Sequence, residues 1–178
     1  ERGLKTAAVL PQVSFSVAQW AQDSQKILRE LGSRTWSTKP LIVRSSALHE
    51  DTPNQSLAGH FLSVPNVVGE NHLRQAINNV EASYAPSPNP EHQILVQPML
   101  ETVKIGGVAF SCDPNTGGPY RVVNYAKGID ASHSITGGQS EDMQTYYHHV
   151  SSDTPPPHEI AQVFSLINEL ESITKTFA

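Results

Sequence analysis

The residues best suited to chemistry in this chain lie at the end of an apolar run, in the segment Leu41–Ser46. Its three leading apolar residues predict a short buried strand, which delivers an arginine and two serines where the chain turns. Arg44 presents a planar, charged fork of donors, the serines add hydroxyl or backbone donors, and Gly59 lets backbone approach a ligand closely. This pattern is typical of a phosphate or carboxylate site, with residues 46–60 as the candidate phosphate loop. The alternative is an arginine that pairs with Glu50 or Asp51 at a strand end.

The elements that must position these residues are three helices and a set of short strands. Apolar residues recur at helical spacing over residues 16–31, 69–84 and 158–177, and Ser16 with Gln19 matches a capping box. Helices are interspersed among strands without regular βαβ alternation, so the pattern favours an α+β fold. Strands are predicted at 41–45, 60–64, 93–98, 107–112, 120–125 and 143–150.

Composition and charge exclude several classes of function. The chain has 178 residues and a formal net charge of −5, so it offers no basic surface for nucleic acid or an anionic membrane. Cys112 is its single cysteine, so no intrachain disulfide can form and a reducing, cytoplasmic location is expected. No apolar stretch approaches the length of a membrane span, and no His or Cys spacing resembles a zinc site.

Three blocks of motif-like sequence lie between roughly residues 40 and 150. The first block, within 44–59, contains Arg-Ser-Ser-Ala, Glu-Asp and Ser-Leu-Ala-Gly. The second, within 96–114, contains Val-Gln-Pro-Met-Leu and Gly-Val-Ala-Phe-Ser-Cys-Asp-Pro. The third and weaker block runs from Gly128 through Ile-Thr-Gly-Gly to Asp142. In this order the blocks resemble the nucleotide-binding domain of phosphoenolpyruvate synthase and pyruvate phosphate dikinase. The first two blocks together are specific for that family, whereas the third alone would not be.

The resemblance implies an α+β fold of the ATP-grasp type, in which two lobes clamp a nucleotide. The lobes are expected at 1–88 and 89–178. The resemblance also implies ATP and Mg²⁺ as cofactors, and transfer of a phosphoryl group to a histidine on another domain as pyruvate becomes phosphoenolpyruvate. The phosphohistidine and pyruvate/phosphoenolpyruvate domains of a full-length protein are the expected partners, and self-association into a homo-oligomer is a further expectation.

Five residues match positions that hold the nucleotide in the family. Arg44 matches the arginine that contacts the ATP phosphates and is the catalytic candidate, and Ser45 follows it in the same motif. Gly59 matches a glycine whose backbone lies close to the nucleotide, and Ser63 stands where the family has a threonine. Gln97 matches a strand glutamine that faces the nucleoside. The alternatives are a surface hydroxyl for Ser63 and a cross-strand pair for Gln97.

The chain also departs from the family. The family's Gly-Gly-Lys, whose lysine reaches the phosphates, has no counterpart before residue 16, and Lys5 is not a convincing substitute. The closing Asp-Ile-Glu-Trp and Gln-x-Arg-Pro of the family are absent, so we expect a truncated piece of a longer enzyme, inactive by itself. Glu50 and Asp51 could bind magnesium, but orienting Arg44 or capping the turn is preferred, and no metal ligand is assigned.

Other functions remain open at this point. A degenerate, non-catalytic domain that senses nucleotide or acts as a scaffold would suit the missing lysine and the unusual His49 and His60. A dikinase relative with a different acceptor, a glucan or an antibiotic, would share the same nucleotide domain. A phosphate-free α+β module, in which Arg44 only pairs with Glu50, is the least favoured interpretation.

Overall fold

Strands and helices alternate irregularly along the chain, as the sequence pattern predicts. The computed structural model describes residues 4–47, 51–52, 55–56, 61–85, 89–128 and 143–174, with backbone alone for 51–52 and 55–56. In chain order its elements are β1 (Val13–Ser16), α1 (Val17–Gly32), β2 (Leu41–Ser46), β3 (Asp51–Thr52), β4 (Gln55–Ser56), β5 (Ser63–Val67), α2 (Glu70–Ala82), β6 (Gln93–Pro98), β7 (Ile105–Phe110), β8 (Tyr120–Lys127), β9 (Gln144–His149), a 3₁₀ turn (His158–Ile160) and α3 (Ala161–Thr174).

A four-stranded antiparallel sheet organises the compact unit Leu10–Leu100. Its strand order is β1-β6-β2-β5, so β2 pairs with β6 on one side and with β5 on the other. The edge strand β1 was not expected from the sequence, and β5 begins later than the strand predicted at 60–64. The hairpin of β3 and β4 falls inside the segment 46–60, where the phosphate loop is predicted.

One face of this sheet packs against α1 and α2, because alternate residues of its strands are apolar. Trp20 of α1 is buried with them, and its indole N–H donates to Asn78 of α2 at 3.0 Å. The fully buried side chains of this core are Leu31, Val43, Ile77, Val80, Ile94 and Val96. Burial of this apolar face fixes which residues of β2 point away from the helices.

The helix α1 begins with the capping box that the sequence predicts. The Ser16 amide donates to the Gln19 side-chain carbonyl at 2.8 Å, and the Gln19 amide donates to the Ser16 hydroxyl at 3.2 Å. The helix is interrupted at Asp23, whose backbone is non-helical. The Asp23 carboxylate accepts the Lys26 amide at 2.9 Å and restarts the helix as an internal N-cap.

A three-stranded antiparallel sheet, β7-β8-β9, organises the other compact unit, Glu1–Val9 with Glu101–Ala178. The helix α3 packs on one face of this sheet through Val123, Tyr125, Ile160 and Phe164. The helix predicted over 158–177 therefore exists, but its first turn is a 3₁₀ turn and the α-helix proper spans Ala161–Thr174. Short 3₁₀ turns are common at helix N-termini.

Gly107 lies where β7 approaches β8 so closely that only glycine fits. A Cβ built on Gly107 would lie 2.4 Å from the Asn124 carbonyl oxygen and 2.9 Å from the Tyr125 Cβ. Gly107 is also paired with Tyr125 in the strand register. Gly107 therefore serves the packing of β7 on β8.

Two carboxylates, one in the 3₁₀ turn before α3 and one in α3, bind side chains of β8. The Tyr125 hydroxyl donates to Glu159 at 2.7 Å, and the Lys127 ammonium lies 2.6 Å from the other oxygen of Glu159. These donors, Lys127 first, lower the pKa of Glu159, while the hydrogen bond to Glu159 raises the pKa of Tyr125. Farther along, Arg121 of β8 pairs with Glu171 of α3 at 3.0 Å.

The α+β fold predicted from the sequence is confirmed, and two antiparallel sheets with flanking helices are consistent with an ATP-grasp-like architecture. The lobe limits of 1–88 and 89–178 stay a prediction. The boundaries of the compact units in sequence lie between Val9 and Leu10 and between Leu100 and Glu101. None of the helices in the described ranges combines the length and the apolar character needed to cross a bilayer.

Candidate functional site

Arg44 lies on the side of the four-stranded sheet that faces away from α1 and α2. In β2 the side chains of Leu41 and Val43 are buried in the core, so the two-residue period of a strand places Ile42 and Arg44 on the other side. Arg44 is exposed and Ile42 is half-buried. We name this side the Arg44 face and define it by Ile42, Arg44, Ser63, Leu95 and Gln97.

Ser63 shares this face because β5 pairs directly with β2. Arg44 lies opposite Ser63 on β5 and opposite Leu95 on β6. Side chains that oppose each other in an antiparallel pair lie on the same face, with Cβ atoms about 4.5–5.5 Å apart. The next residue of β5, Val64, packs against the core, as alternation requires. The structure therefore brings the predicted guanidinium and hydroxyl together.

Gln97 lies on the same face, one register step away. It is paired with Ile42 on β2, and its amide nitrogen donates to the side-chain carbonyl of Gln12 at 3.0 Å. This hydrogen bond is the cross-strand pair that the sequence offered as the alternative for Gln97. An amide carries two donor hydrogens and an acceptor oxygen, so one such bond leaves Gln97 able to contact a ligand as well.

Ser45 does not join this group. It is paired with Ile94, a residue of the buried core, so its side chain lies on the helix side of the sheet. Its amide donates to the Leu62 carbonyl at 3.3 Å. The hydroxyl of Ser45 is thereby directed away from the Arg44 face, and its amide is already bonded within the backbone.

The rest of the predicted phosphate loop is largely outside the described residues. Gly59 and Glu50 both fall there, and Asp51 is described only as a backbone pair with Ser56 in the β3–β4 hairpin. The proposed nucleotide contact of Gly59 and the alternative ion pairs of Arg44 with these acids are therefore not addressed by the described geometry. They stay predictions.

The electrostatic setting of Arg44 differs from that of Arg34, Arg74 and Arg121. Within the described ranges its guanidinium makes no hydrogen bond and no ion pair. By contrast, carboxylates lie within 4.0 Å of Arg34, Arg74 and Arg121. An exposed guanidinium that no described carboxylate engages is suited to an anionic ligand, above all to a phosphate.

The apolar members of the Arg44 face give it a second property. Ile42 and Leu95 are both half-buried and flank Arg44 on its own strand and on β6. A polar edge of guanidinium, hydroxyl and amide beside an apolar patch suits a ligand with a charged end and a flat apolar part. A nucleotide has both.

Other chemistry-bearing residues have structural roles. The Asp113 carboxylate accepts the Asn115 amide at 2.9 Å and the Thr116 hydroxyl at 2.8 Å, which lowers its pKa and closes a turn. His148 packs against Phe164, whereas its neighbour His149 packs against Tyr120 on the opposite side of the strand. Across the described ranges, no group of three or more His, Cys, Asp or Glu side chains could hold a metal ion.

Comparison with known proteins identifies the family. The family model described as pyruvate phosphate dikinase, AMP/ATP-binding domain matches residues 18–153, which is more than half of the chain. The chain belongs to this family. It is accordingly the nucleotide-binding part of a dikinase-like protein, and the range matched to the AMP/ATP-binding domain contains Arg44, Ser63 and Gln97. No curated protein matches the chain.

Sequence reasoning missed Gln12 as the partner of Gln97. Gln12 immediately precedes β1, and Val13 of β1 pairs with Val96 of β6. The alternation of Val13, Ser14 and Phe15 was a signal for this strand, but the run is too short to be distinguished from a loop. A pairing between residues 12 and 97 depends on sheet order, which local pattern does not reveal.

Proposed function

We propose that the Arg44 face binds the phosphates of ATP, and that the chain is the ATP-binding part of a phosphoenolpyruvate synthase-like (pyruvate, water dikinase) phosphotransferase. The observation that carries the proposal is the exposed guanidinium of Arg44, which no described carboxylate engages, directly opposite the hydroxyl of Ser63. Both residues fall inside the range matched to the AMP/ATP-binding domain of pyruvate phosphate dikinase.

Each residue has a role that its chemistry supports. Arg44 would bind phosphate oxygens through two parallel N–H donors and neutralise the charge that develops during phosphoryl transfer. Ser63 would donate its hydroxyl to the same phosphates. Gln97 would contact the nucleoside, and Gly59 would bring backbone close to it. Ser45, whose side chain lies on the helix side of the sheet and whose amide is bonded to the Leu62 carbonyl, is not part of the proposed contact set.

The proposed reaction delivers phosphoryl from ATP to a histidine on another domain. In the complete reaction ATP, pyruvate and water yield phosphoenolpyruvate, AMP and phosphate, so the histidine and pyruvate domains of a full-length protein are proposed partners. Among the described residues, no group of three or more His, Cys, Asp or Glu side chains could hold a metal ion, and Mg²⁺ is usually bound by one or two carboxylates together with phosphate oxygens. Mg²⁺ therefore enters the proposal only as the ion that accompanies ATP.

Calorimetric titration of Mg·ATP into the wild type, Arg44→Ala and Arg29→Ala tests the proposal. Arg29 is a matched control, since it is also exposed but lies on α1, on the other side of the sheet. Hydrogen bonds to charged groups contribute about 1.5–3 kcal/mol, so Arg44→Ala is expected to weaken binding about 10- to 150-fold. Arg29→Ala should bind as the wild type does. Wild-type affinity in Arg44→Ala would overturn the proposal.

A further inference from the structure

One carboxylate of α3 is held by consecutive residues of the N-terminal segment. The Lys5 amide donates to one oxygen of Glu169 at 2.6 Å, and the Thr6 amide donates to the other at 2.9 Å. The Thr6 hydroxyl donates to that second oxygen as well. The Thr6 hydroxyl first, and then the Lys5 amide, lower the pKa of Glu169.

The donor set around Glu169 is the kind that binds anions in proteins. Successive backbone N–H groups can together bind one anion, and here the two amides donate to different oxygens of the same carboxylate while a hydroxyl adds a third donor. The Lys5 ammonium contributes a favourable charge interaction with the same carboxylate. None of these groups is specific for a carboxylate, because phosphate oxygens accept the same hydrogen bonds and carry more charge.

We infer that Lys5 and Thr6 form a binding site for a phosphate-type oxyanion, and that Glu169 is an internal anion that competes for it. Residues Lys5 and Thr6 are exposed and Glu169 is half-buried, so a dissolved anion can reach the donors. Binding of the external anion would release α3 from the N-terminal segment. This inference does not rest on the Arg44 face, because all of its donors lie at residues 5 and 6.

Because Glu169 is tethered to the donors by its own chain, its competition sets the phosphate concentration at which phosphate replaces it. A group held close by its own chain acts at an effective concentration on the order of millimolar. Half-saturation of the wild-type protein should therefore need more than millimolar phosphate, and removal of the Glu169 charge should lower that concentration several-fold. The Thr6 hydroxyl and the two amides remain in place in a Glu169→Gln variant, so the site itself is preserved.

Amide ¹H–¹⁵N spectra of the full chain test this competition. Inorganic phosphate or tripolyphosphate is titrated at constant ionic strength into the wild type, Glu169→Gln and Asp153→Asn, with chloride as the non-specific anion. Asp153→Asn removes one exposed negative charge from the same unit without touching Glu169. Comparison of the two anions distinguishes a site for free phosphate from one that prefers a polyphosphate chain.

The expected result is a saturable shift of the Lys5 and Thr6 amides, with a midpoint several-fold lower in Glu169→Gln than in the wild type or Asp153→Asn. The same spectra report whether Glu169→Gln is folded. Three results would overturn the inference: no shift of these amides in folded Glu169→Gln, an equal response to chloride, or identical midpoints in all three proteins. A failure here leaves the calorimetry of Arg44 unaffected, so the two proposals are judged separately.

Discussion

Replacement of Gly107 by alanine tests the close approach of β7 and β8 quantitatively. The new Cβ would lie 2.4 Å from the Asn124 carbonyl oxygen, and ordinary contact begins at 3.4 Å, so the strands must separate by about 1.0 Å. The atoms in the way are backbone or the first side-chain carbon of Tyr125, at 2.9 Å, and neither can swing aside. The strain must therefore be relieved by movement of a whole strand.

The cost of this movement follows from the bonds that it stretches. A shift of about 1 Å takes ladder hydrogen bonds beyond their range of about 2.7–3.2 Å. Loss of two such bonds costs about 1–3 kcal/mol, and overpacking costs about another 1–3 kcal/mol. The smaller entropy of the unfolded alanine chain offsets about 0.4–1 kcal/mol. Gly107→Ala should thus lower the free energy of unfolding by about 1–6 kcal/mol, with a central value of about 3 kcal/mol.

Thermal unfolding followed by circular dichroism measures this loss. For a chain of this size each kcal/mol shifts Tm by about 2–4 °C, so the central expectation is a fall of about 6–12 °C. Gly32→Ala is the matched control, since its Cβ would meet nothing within 4 Å at the end of α1. That variant should gain about 0.4–1 kcal/mol. If Gly107→Ala were as stable as the wild type, the described packing of β7 on β8 would be refuted.

Three further predictions concern the sheet face and the ion pairs of α3. Ser63→Ala should weaken ATP binding several-fold while Ser45→Ala leaves it unchanged, and equal calorimetric effects would contradict the face assignment. Arg121→Ala removes the partner of the half-buried Glu171 and should lower the free energy of unfolding by about 1–3 kcal/mol in denaturant. An unchanged midpoint would mean that the pair is not stabilising. The folded-state pKa of Glu159 lies below its ordinary value, so its stabilisation is present above the unfolded pKa and is lost as pH falls through the folded pKa. Glu159→Gln should therefore flatten the acid side of the stability profile, and a profile identical to that of the wild type would exclude this role.

The elements that local physics determines were predictable from the sequence. The helices α1 and α2 and the strands β2 and β6 have apolar residues at the spacing that burial demands, and the capping box of Ser16 and Gln19 involves residues only three apart. The strand β1 was missed because it is four residues long. It is defined by pairing with β6, far along the chain, and not by its own pattern.

The candidate site was predictable in its residues but not in its geometry. The motif located Arg44, Ser45 and Gln97 on strands, but a strand alone does not say which of its sides is buried. Register decides that question, since adjacent residues of one strand point to opposite faces. For that reason Ser45 separates from Arg44 although they are neighbours in the chain, whereas Ser63 joins Arg44 from another strand.

Contacts between segments far apart in the sequence could not be predicted from local sequence patterns. Glu169 and the Lys5–Thr6 segment are more than 160 residues apart, and nothing in either segment marks the other as its partner. The break of α1 at Asp23 was also unforeseen, although aspartate is a favourable N-cap residue. Apolar periodicity continues across the break, which conceals it.

The central claim, that Arg44 binds the phosphates of ATP, is tested most directly at the guanidinium itself. Side-chain ¹H–¹⁵N signals of arginine Nε–H groups can be followed while Mg·ATP is titrated into the wild type, with the resonance of Arg29 as the internal control. The Arg44 signal should shift with the saturation of ATP binding while the Arg29 signal stays in place. Saturable ATP binding with an unmoved Arg44 signal would contradict the account and locate the nucleotide elsewhere.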